Sequence, residues 1–234
     1  MANHLTEEEQ IEAFKQWWVG NGLKLVATAV ILVGGYFGFN GWQDSQQAQA
    51  QKGSAIYTSM IDSLTTQTDQ PLSDEQKTAI QASADQLKEE FGDSGYANLS
   101  ALIKAKLAVN AGDLDQAASE LEWALNNDPA DNIQAVATLR LARIEAARGN
   151  AETALALVND QDAGEMTSVY EEAKGDFHIM LGHYEAAYTA YQIALDTEQT
   201  GNPRVTSILR LKLSEAKPAA NSGLEQPNET QGES

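Results

Sequence analysis

The sequence contains no cysteine and few basic residues. Without cysteine the protein cannot form disulfides, bind iron–sulfur clusters or use a thiol nucleophile, which agrees with an oxidising compartment without requiring one. Only 15 Lys and Arg accompany 34 Asp and Glu, for a formal net charge of −19. This balance disfavours nucleic acid as a partner, because phosphate binding needs clustered cations.

Catalytic motifs are also missing. Neither a phosphate-binding loop of the G-x-x-x-x-G-K-[ST] type nor a strand-based G-x-G-x-x-G occurs. The three histidines are His4, His178 and His183, and the last two are five residues apart, whereas a metal pair on one helix face needs a spacing of three or four. The sequence therefore predicts no catalytic residues, no metal site and no cofactor, and an enzyme is disfavoured.

One long uncharged run, LVATAVILVGGYFGFNGW, occupies residues 25–42. As a helix it would be about 27 Å long, close to the thickness of a bilayer core. Three interpretations exist: a buried core helix, a cleaved signal peptide or a permanent anchor. The run contains glycines that disfavour a soluble helix, and its acidic, long leader is unlike a signal peptide. We therefore expect an uncleaved membrane anchor over residues 23–43.

Aromatic and basic side chains flank this anchor. Trp17, Trp18, Lys24 and Trp42 are expected at the membrane interface, where tryptophan rings and the lysine head reach the headgroups. Lys15 and Lys24 precede the span, and only Lys52 follows it closely. This bias favours a cytoplasmic N-terminus and an exported C-terminal part.

Two glycines inside the anchor and the leader before it add further expectations. Gly34 and Gly38 have the Gly-x-x-x-Gly spacing that lets a second helix pack closely in a membrane. Within residues 1–22, Thr6 and Glu9 have capping-box spacing, and an amphipathic pattern follows them. The leader is either a short helix at the membrane surface, which its paired tryptophans favour, or a solvated segment. Gly and Asn at residues 20–22 are expected to end this helix.

After the anchor, residues 44–64 predict a polar helical stalk, and residues 65–71 predict a loop. Ser73 and Gln76 have capping-box spacing at the start of another helix, which we expect Gly92 to terminate. The stalk and this helix are expected to cap one end of a helical array. At the other end, residues 202–216 predict a terminal capping helix, and residues 217–234, which are almost without apolar side chains, predict a disordered tail.

Three segments of the C-terminal half align on one another, each with a glycine followed five residues later by alanine. The glycines are 37 and 33 residues apart, a period typical of stacked helix pairs. The pattern resembles tetratricopeptide repeats, although Lys104 and Lys174 stand where leucine is usual and no copy opens with tryptophan. The positions expected to carry the packing are Ala105, Gly112, Ala117, Leu121, Ala124 and Pro129 in the first copy, Ala142, Gly149 and Ala154 in the second, and Gly175, Gly182, Ala187, Tyr191 and Ala194 in the third.

Periodicity supports the same architecture independently. In the third copy, Tyr184, Ala187, Tyr188, Tyr191 and Leu195 predict one apolar helix face. The first helices of the copies, at residues 101–109, 138–146 and 170–180, are expected to line a concave surface that binds an extended segment or a partner helix.

The chain as a whole resembles the bacterial YfgM family of ancillary translocon subunits. The resemblance is carried by the leader EEEQIEAFKQWWVGNGLKL, the single span directly after it and the degenerate repeats, and it covers about residues 7–216. It implies an inner-membrane protein with periplasmic repeats. It also implies association with the SecYEG channel and with a membrane-anchored chaperone resembling prolyl isomerases, and contact with unfolded exported chains.

These observations predict an all-α protein: a single N-terminal transmembrane helix followed by an α-solenoid of tetratricopeptide-like helix pairs. The role that the resemblance implies is to link the Sec channel to periplasmic chaperones for newly exported proteins. A generic scaffold for another envelope complex is the alternative, and an exported enzyme is the third reading. The predicted boundaries are 1–22 for the leader, 23–43 for the anchor, 44–95 for the stalk and capping pair, 96–216 for the repeats with their capping helix, and 217–234 for the tail.

Overall fold

A computed structural model describes residues 7–65, 72–159, 161, 163–198 and 200–217. It contains α-helices and one 3₁₀ turn, Gly164–Met166, with no strand among the described residues. The helices are α1 Glu7–Thr65, α2 Asp74–Glu90, α3 Gly95–Ala111, α4 Leu114–Asn126, α5 Asp131–Ala147, α6 Ala151–Asn159, α7 Thr167–Met180, α8 Tyr184–Asp196 and α9 Pro203–Glu215. The all-α prediction is confirmed. The chain divides into two compact units, Met1–Ser54 and Ala55–Ser234.

Within the first unit, α1 includes a stretch that is long and apolar enough to cross a membrane. Its large apolar side chains are exposed, as a span surrounded by lipid requires. The interruption predicted at residues 20–22 is wrong, because α1 is continuous there. The Asn21 side-chain amide donates to the Trp17 carbonyl at 3.2 Å, and Gly22 lies against the Trp18 indole. Each glycine costs about 1 kcal/mol in a helix, which long helical flanks on both sides offset.

The division of this segment at residues 22 and 43 therefore has no counterpart in the secondary structure and stays a prediction about the membrane boundary. Thr6 lies outside the described residues, as do residues 66–71 of the predicted loop and residues 218–234 of the predicted tail.

Within the second unit, the end of α1 and helix α2 form the first packed layer. Met60 is buried together with Ile80 and Leu87. The capping box of α2 is confirmed, since Ser73 Oγ accepts from the Gln76 amide at 3.2 Å and Gln76 Oε1 accepts from the Ser73 amide at 2.9 Å. Helix α2 ends one residue earlier than predicted, with Phe91 at its C-cap.

Gly92 does not act as the left-handed terminator that the sequence suggested. Its φ is not positive, and its carbonyl accepts a 2.7 Å hydrogen bond from the Asn127 side chain. The chain turns instead through residues 91–94, where the Ser94 amide donates to the Phe91 carbonyl at 2.8 Å. A local hydrogen bond and a contact with a residue 35 positions away thus both hold this turn.

Three helix pairs follow, α3 with α4, α5 with α6 and α7 with α8, and each packs on the next pair along the chain. Small side chains at the crossings let the helices approach closely: Ala105 and Ala117 lie in one core, Ala142 and Ala154 in the next. Helix α9 packs against α8 and buries Leu209. The second unit is a stacked array in which each pair contacts its neighbours.

The α8 face differs in part from the prediction. Ala187 and Tyr191 are buried, whereas the Tyr184 side chain is 54% exposed. Tyr184 is the first residue of α8, beside the turn that follows Gly182, where the helix has not yet reached the core.

Candidate functional site

The three inter-helix turns share one geometry, which sets the register of the first helices. Gly112, Gly149 and Gly182 adopt φ of 79°, 90° and 75°, a left-handed conformation that favours glycine. In each turn the amide of the residue after the glycine donates to the carbonyl five residues before it in the preceding helix, at 2.9, 2.9 and 2.8 Å. This is the Schellman arrangement. Residues at one distance before each glycine therefore occupy equivalent positions on α3, α5 and α7.

The repeat positions named from the sequence fall into two groups in the structure. The three turn glycines are exposed, and Pro129 is half-buried between α4 and α5. The buried positions are Ala105, Ala117, Leu121, Ala124, Ala142, Ala154, Gly175, Ala187, Tyr191 and Ala194. At the anchor, the interface residues Trp17, Trp18, Lys24 and Trp42 are exposed, and a side-chain carbon added at Gly34 or Gly38 would meet no heavy atom within 4 Å.

Two lysines that depart from the repeat pattern are held by carboxylates. Glu120 is buried on α4 and accepts from Lys88 Nζ at 2.7 Å and from Lys104 Nζ at 2.6 Å. Lys104 also binds Asp85 at 2.6 Å, and Lys174 binds Glu171 at 2.7 Å. Burial lowers the pKa of Lys104, but hydrogen bonds and charges from Asp85 and Glu120 outweigh it, and the net shift is upward.

A groove of about 410 Å³ lies where α3, α4 and α5 meet. Its lining includes Lys106 and Val109 from α3, Leu114 from α4, and Arg140, Arg143 and Ile144 from α5. The groove therefore combines an apolar floor with three cationic side chains. It is built by two of the first helices that the sequence predicted as a binding surface. We take it as the candidate site for an interaction.

Sequence reasoning identified these helices but not the cations. Lys106 and Arg143 each stand six residues before the turn glycine of their own copy, Gly112 and Gly149. That repeated spacing was a visible signal for their equivalence. Arg140 has no such counterpart, and its place in the same groove as Lys106 depends on how α3, α4 and α5 pack.

Histidine and metal chemistry finds no further support in the described part of the chain. The His178 and His183 rings are 5.8 Å apart, and no group of three or more metal-ligating side chains is close enough to hold an ion among the described residues. Burial and the neighbouring His183 lower the pKa of His178.

Comparison with known proteins addresses the architecture directly. The family model described as tetratricopeptide repeat-like domain matches residues 15–217. A protein of Aggregatibacter actinomycetemcomitans named ancillary SecYEG translocon subunit is 31% identical over 197 residues, which are 83% of this chain and 91% of that protein. The chain belongs to the YfgM family of ancillary translocon subunits.

Other YfgM family members correspond over nearly their full lengths. The protein of Haemophilus influenzae with the same name is 27% identical over 213 residues, 91% of this chain and 98% of that protein. The Escherichia coli protein of that name is 22% identical over 207 residues, 88% and 95% of the respective chains. Together with the apolar stretch of α1, membership in the YfgM family fits an inner-membrane protein.

Proposed function

We propose that this protein is a membrane-anchored periplasmic interaction protein that links a SecYEG-like channel to periplasmic chaperones for newly exported proteins. The observation that carries the proposal is the near full-length correspondence with relatives named ancillary SecYEG translocon subunits. The match to the family model, at residues 15–217, includes both the anchor and the repeats. The proposed partners are the channel, a membrane-anchored prolyl-isomerase-like chaperone and unfolded exported chains. The proposed role is not enzymatic.

The proposed topology has residues 1–22 in the cytoplasm, a single span in the bacterial inner membrane and the repeats in the periplasm. Lys15 and Lys24 before the span, against Lys52 after it, support this orientation. Anchoring would raise the effective concentration of the repeats at the channel exit, where exported chains emerge. The groove formed by α3, α4 and α5 is the proposed contact surface.

The span itself is proposed to contact another helix through Gly34 and Gly38. On a continuous α1, these two residues lie on one face, and their small size lets a neighbouring backbone approach.

Crosslinking in native membranes, followed by purification of the tagged full chain in mild detergent and mass spectrometry, tests the proposal. We expect the channel and a membrane-anchored chaperone to be recovered together. If neither is recovered, the proposal fails and a generic scaffold for another envelope complex becomes the better account.

A matched variant separates the contributions of the span and the repeats. Residues 25–42 are replaced by an unrelated span of equal hydrophobicity, which keeps the compartment and the repeats. We expect recovery of the channel to fall while the chaperone is still recovered. Recovery of both partners at the original level would show that the span is only a tether.

A further inference from the structure

Three cationic side chains in the groove have no carboxylate partner among the residues that the structure describes. Lys88, Lys104, Arg148, Lys174 and Lys212 of the same unit each bind a carboxylate at 2.8 Å or less. Lys106, Arg140 and Arg143, by contrast, form no ion pair with any described carboxylate and lie together in one groove. In a chain of net charge −19, unpaired cations gathered at one site form a local positive field.

In the third copy, the position six residues before the turn glycine takes part in an ion pair within the chain. Asp176 stands six residues before Gly182 and is thus the equivalent of Lys106 and Arg143. Both oxygens of Asp176 accept from Lys212 Nζ of α9 at 2.8 Å. In the third copy an ion pair within the chain therefore occupies this position, whereas in the first two copies the position holds a cation with no carboxylate partner among the described residues.

The floor of the groove adds a second requirement for a ligand. Val109 is 43% exposed and Leu114 is partly buried, and both line the groove together with the buried Ile144. A long polyanion such as a nucleic acid would satisfy the cations but leave the floor uncovered, and the acidic remainder of the chain would repel it. A short segment that carries both carboxylates and apolar side chains can pair with the cations and also cover the apolar floor.

We propose that this groove binds a peptide segment of a partner protein in which carboxylates alternate with apolar side chains. The carboxylates bind Lys106, Arg140 and Arg143, and the apolar side chains cover Val109 and Leu114. The chain's own residues 218–234 carry acidic side chains but a single large aliphatic one, Leu224, and so match the cations better than the floor. This inference rests on the proposed role as an interaction protein.

The test measures peptide binding to the full chain in lipid nanodiscs by fluorescence anisotropy. The probe is a short fluorescein-labelled peptide in which glutamate and leucine alternate, and its control has glutamine at every glutamate. We expect the acidic peptide to bind with an affinity that falls as salt is added. The glutamine peptide should bind at least several-fold less tightly. Equal binding of the two peptides would overturn the inference.

Matched variants locate the site. Arg143→Gln should weaken binding by about three- to tenfold, the loss of one charge-assisted contact on an exposed surface. Arg204→Gln removes the same charge from an exposed position on α9 and should leave affinity unchanged. Equal losses in both variants would indicate a long-range charge effect and contradict a site in the groove. Thermal melts check that each variant folds.

Two further outcomes would also overturn the inference. The first is an acidic peptide that binds only after residues 218–234 are deleted, which would make the chain's own tail the occupant. The second is the absence of binding with and without the tail. Because purified protein and synthetic peptide are used, these results do not depend on whether the channel is recovered with the chain. Failure to recover the channel and the chaperone would contradict the proposed function and not this inference.

Discussion

The phenol ring of Tyr191 on α8 lies directly against the α-carbon of Gly175 on α7, in the space that a side chain at residue 175 would occupy. The ring is held there by a hydrogen bond, since the Tyr191 hydroxyl donates to Asp176 Oδ1 at 2.7 Å. Burial raises the pKa of Tyr191 strongly, and the adjacent Asp176 adds to the shift, so the hydroxyl stays protonated and keeps donating.

Gly175→Ala should therefore destabilise the protein. Its new methyl group would fall within the contact distance of the Tyr191 ring, and overpacking of this kind costs about 1–3 kcal/mol. Thermal or denaturant unfolding of the full chain measures the loss. Gly95→Ala in α3 is the control, because an added methyl there meets no atom within 4 Å and should be neutral or stabilising. Equal stabilities of the two variants would contradict this packing.

Removing the buried carboxylate of Glu120 should be more damaging. Glu120→Gln leaves the ammonium groups of Lys88 and Lys104, which both contact it, without their shared counter-charge. We expect a loss of about 2–4 kcal/mol in the free energy of unfolding. Asp74→Asn breaks an exposed pair with Lys77 and should cost less than about 1 kcal/mol. A Glu120→Gln variant as stable as Asp74→Asn would show that the buried network contributes little.

His178 should make stability fall on mild acidification. Burial and then His183 lower its pKa, and His178 Nδ1 is buried without a hydrogen-bond partner among the described residues. A histidine with a lowered folded-state pKa stabilises the fold above its unfolded pKa, and that contribution is lost as pH falls through the folded value. Nearby Glu171 favours the charged form and Lys174 opposes it.

Melting temperatures between about pH 7.5 and about pH 5.5 measure this effect, because these values bracket the unfolded histidine pKa. In His178→Gln the melting temperature should fall less between these two pH values than in the parent. In His183→Gln, which changes the exposed neighbouring ring, the fall should be larger than in His178→Gln. The carboxylate of Glu145, whose pKa is lowered chiefly by a hydrogen bond from Asn150, titrates below this range. An identical fall in the parent and His178→Gln would rule out His178 as the cause.

The absence of native cysteine allows a direct test of topology. Thr6→Cys and Ser222→Cys are introduced separately, and intact cells are treated with a thiol reagent that crosses only the outer membrane. The lysine bias predicts labelling at residue 222 and none at residue 6. The reverse pattern would place the repeats in the cytoplasm and contradict the proposed link to periplasmic chaperones.

Features that depend on neighbouring residues were predictable from the sequence. The uncharged run of residues 25–42 predicted a membrane span, and α1 contains it. Gly112 and its two counterparts predicted turns between helices, because only glycine adopts a left-handed φ without strain. The capping box of Ser73 and Gln76 needs residues three positions apart. Local chemistry determines each of these features.

Other features were decided by tertiary packing. The buried carboxylate of Glu120 accepts hydrogen bonds from Lys88, which is 32 positions away in the chain, and from Lys104. The contact with Glu120 explains why a lysine can stand at residue 104, where the repeat pattern has leucine. The break expected at residues 20–22 did not form, since flanking helix outweighs a local cost of about 1 kcal/mol per glycine. The sequence predicted the helices around the groove, but only the tertiary packing of α3, α4 and α5 brought Arg140 and Lys106 into one groove, because side chains distant in the chain meet through packed backbones and not through local propensity.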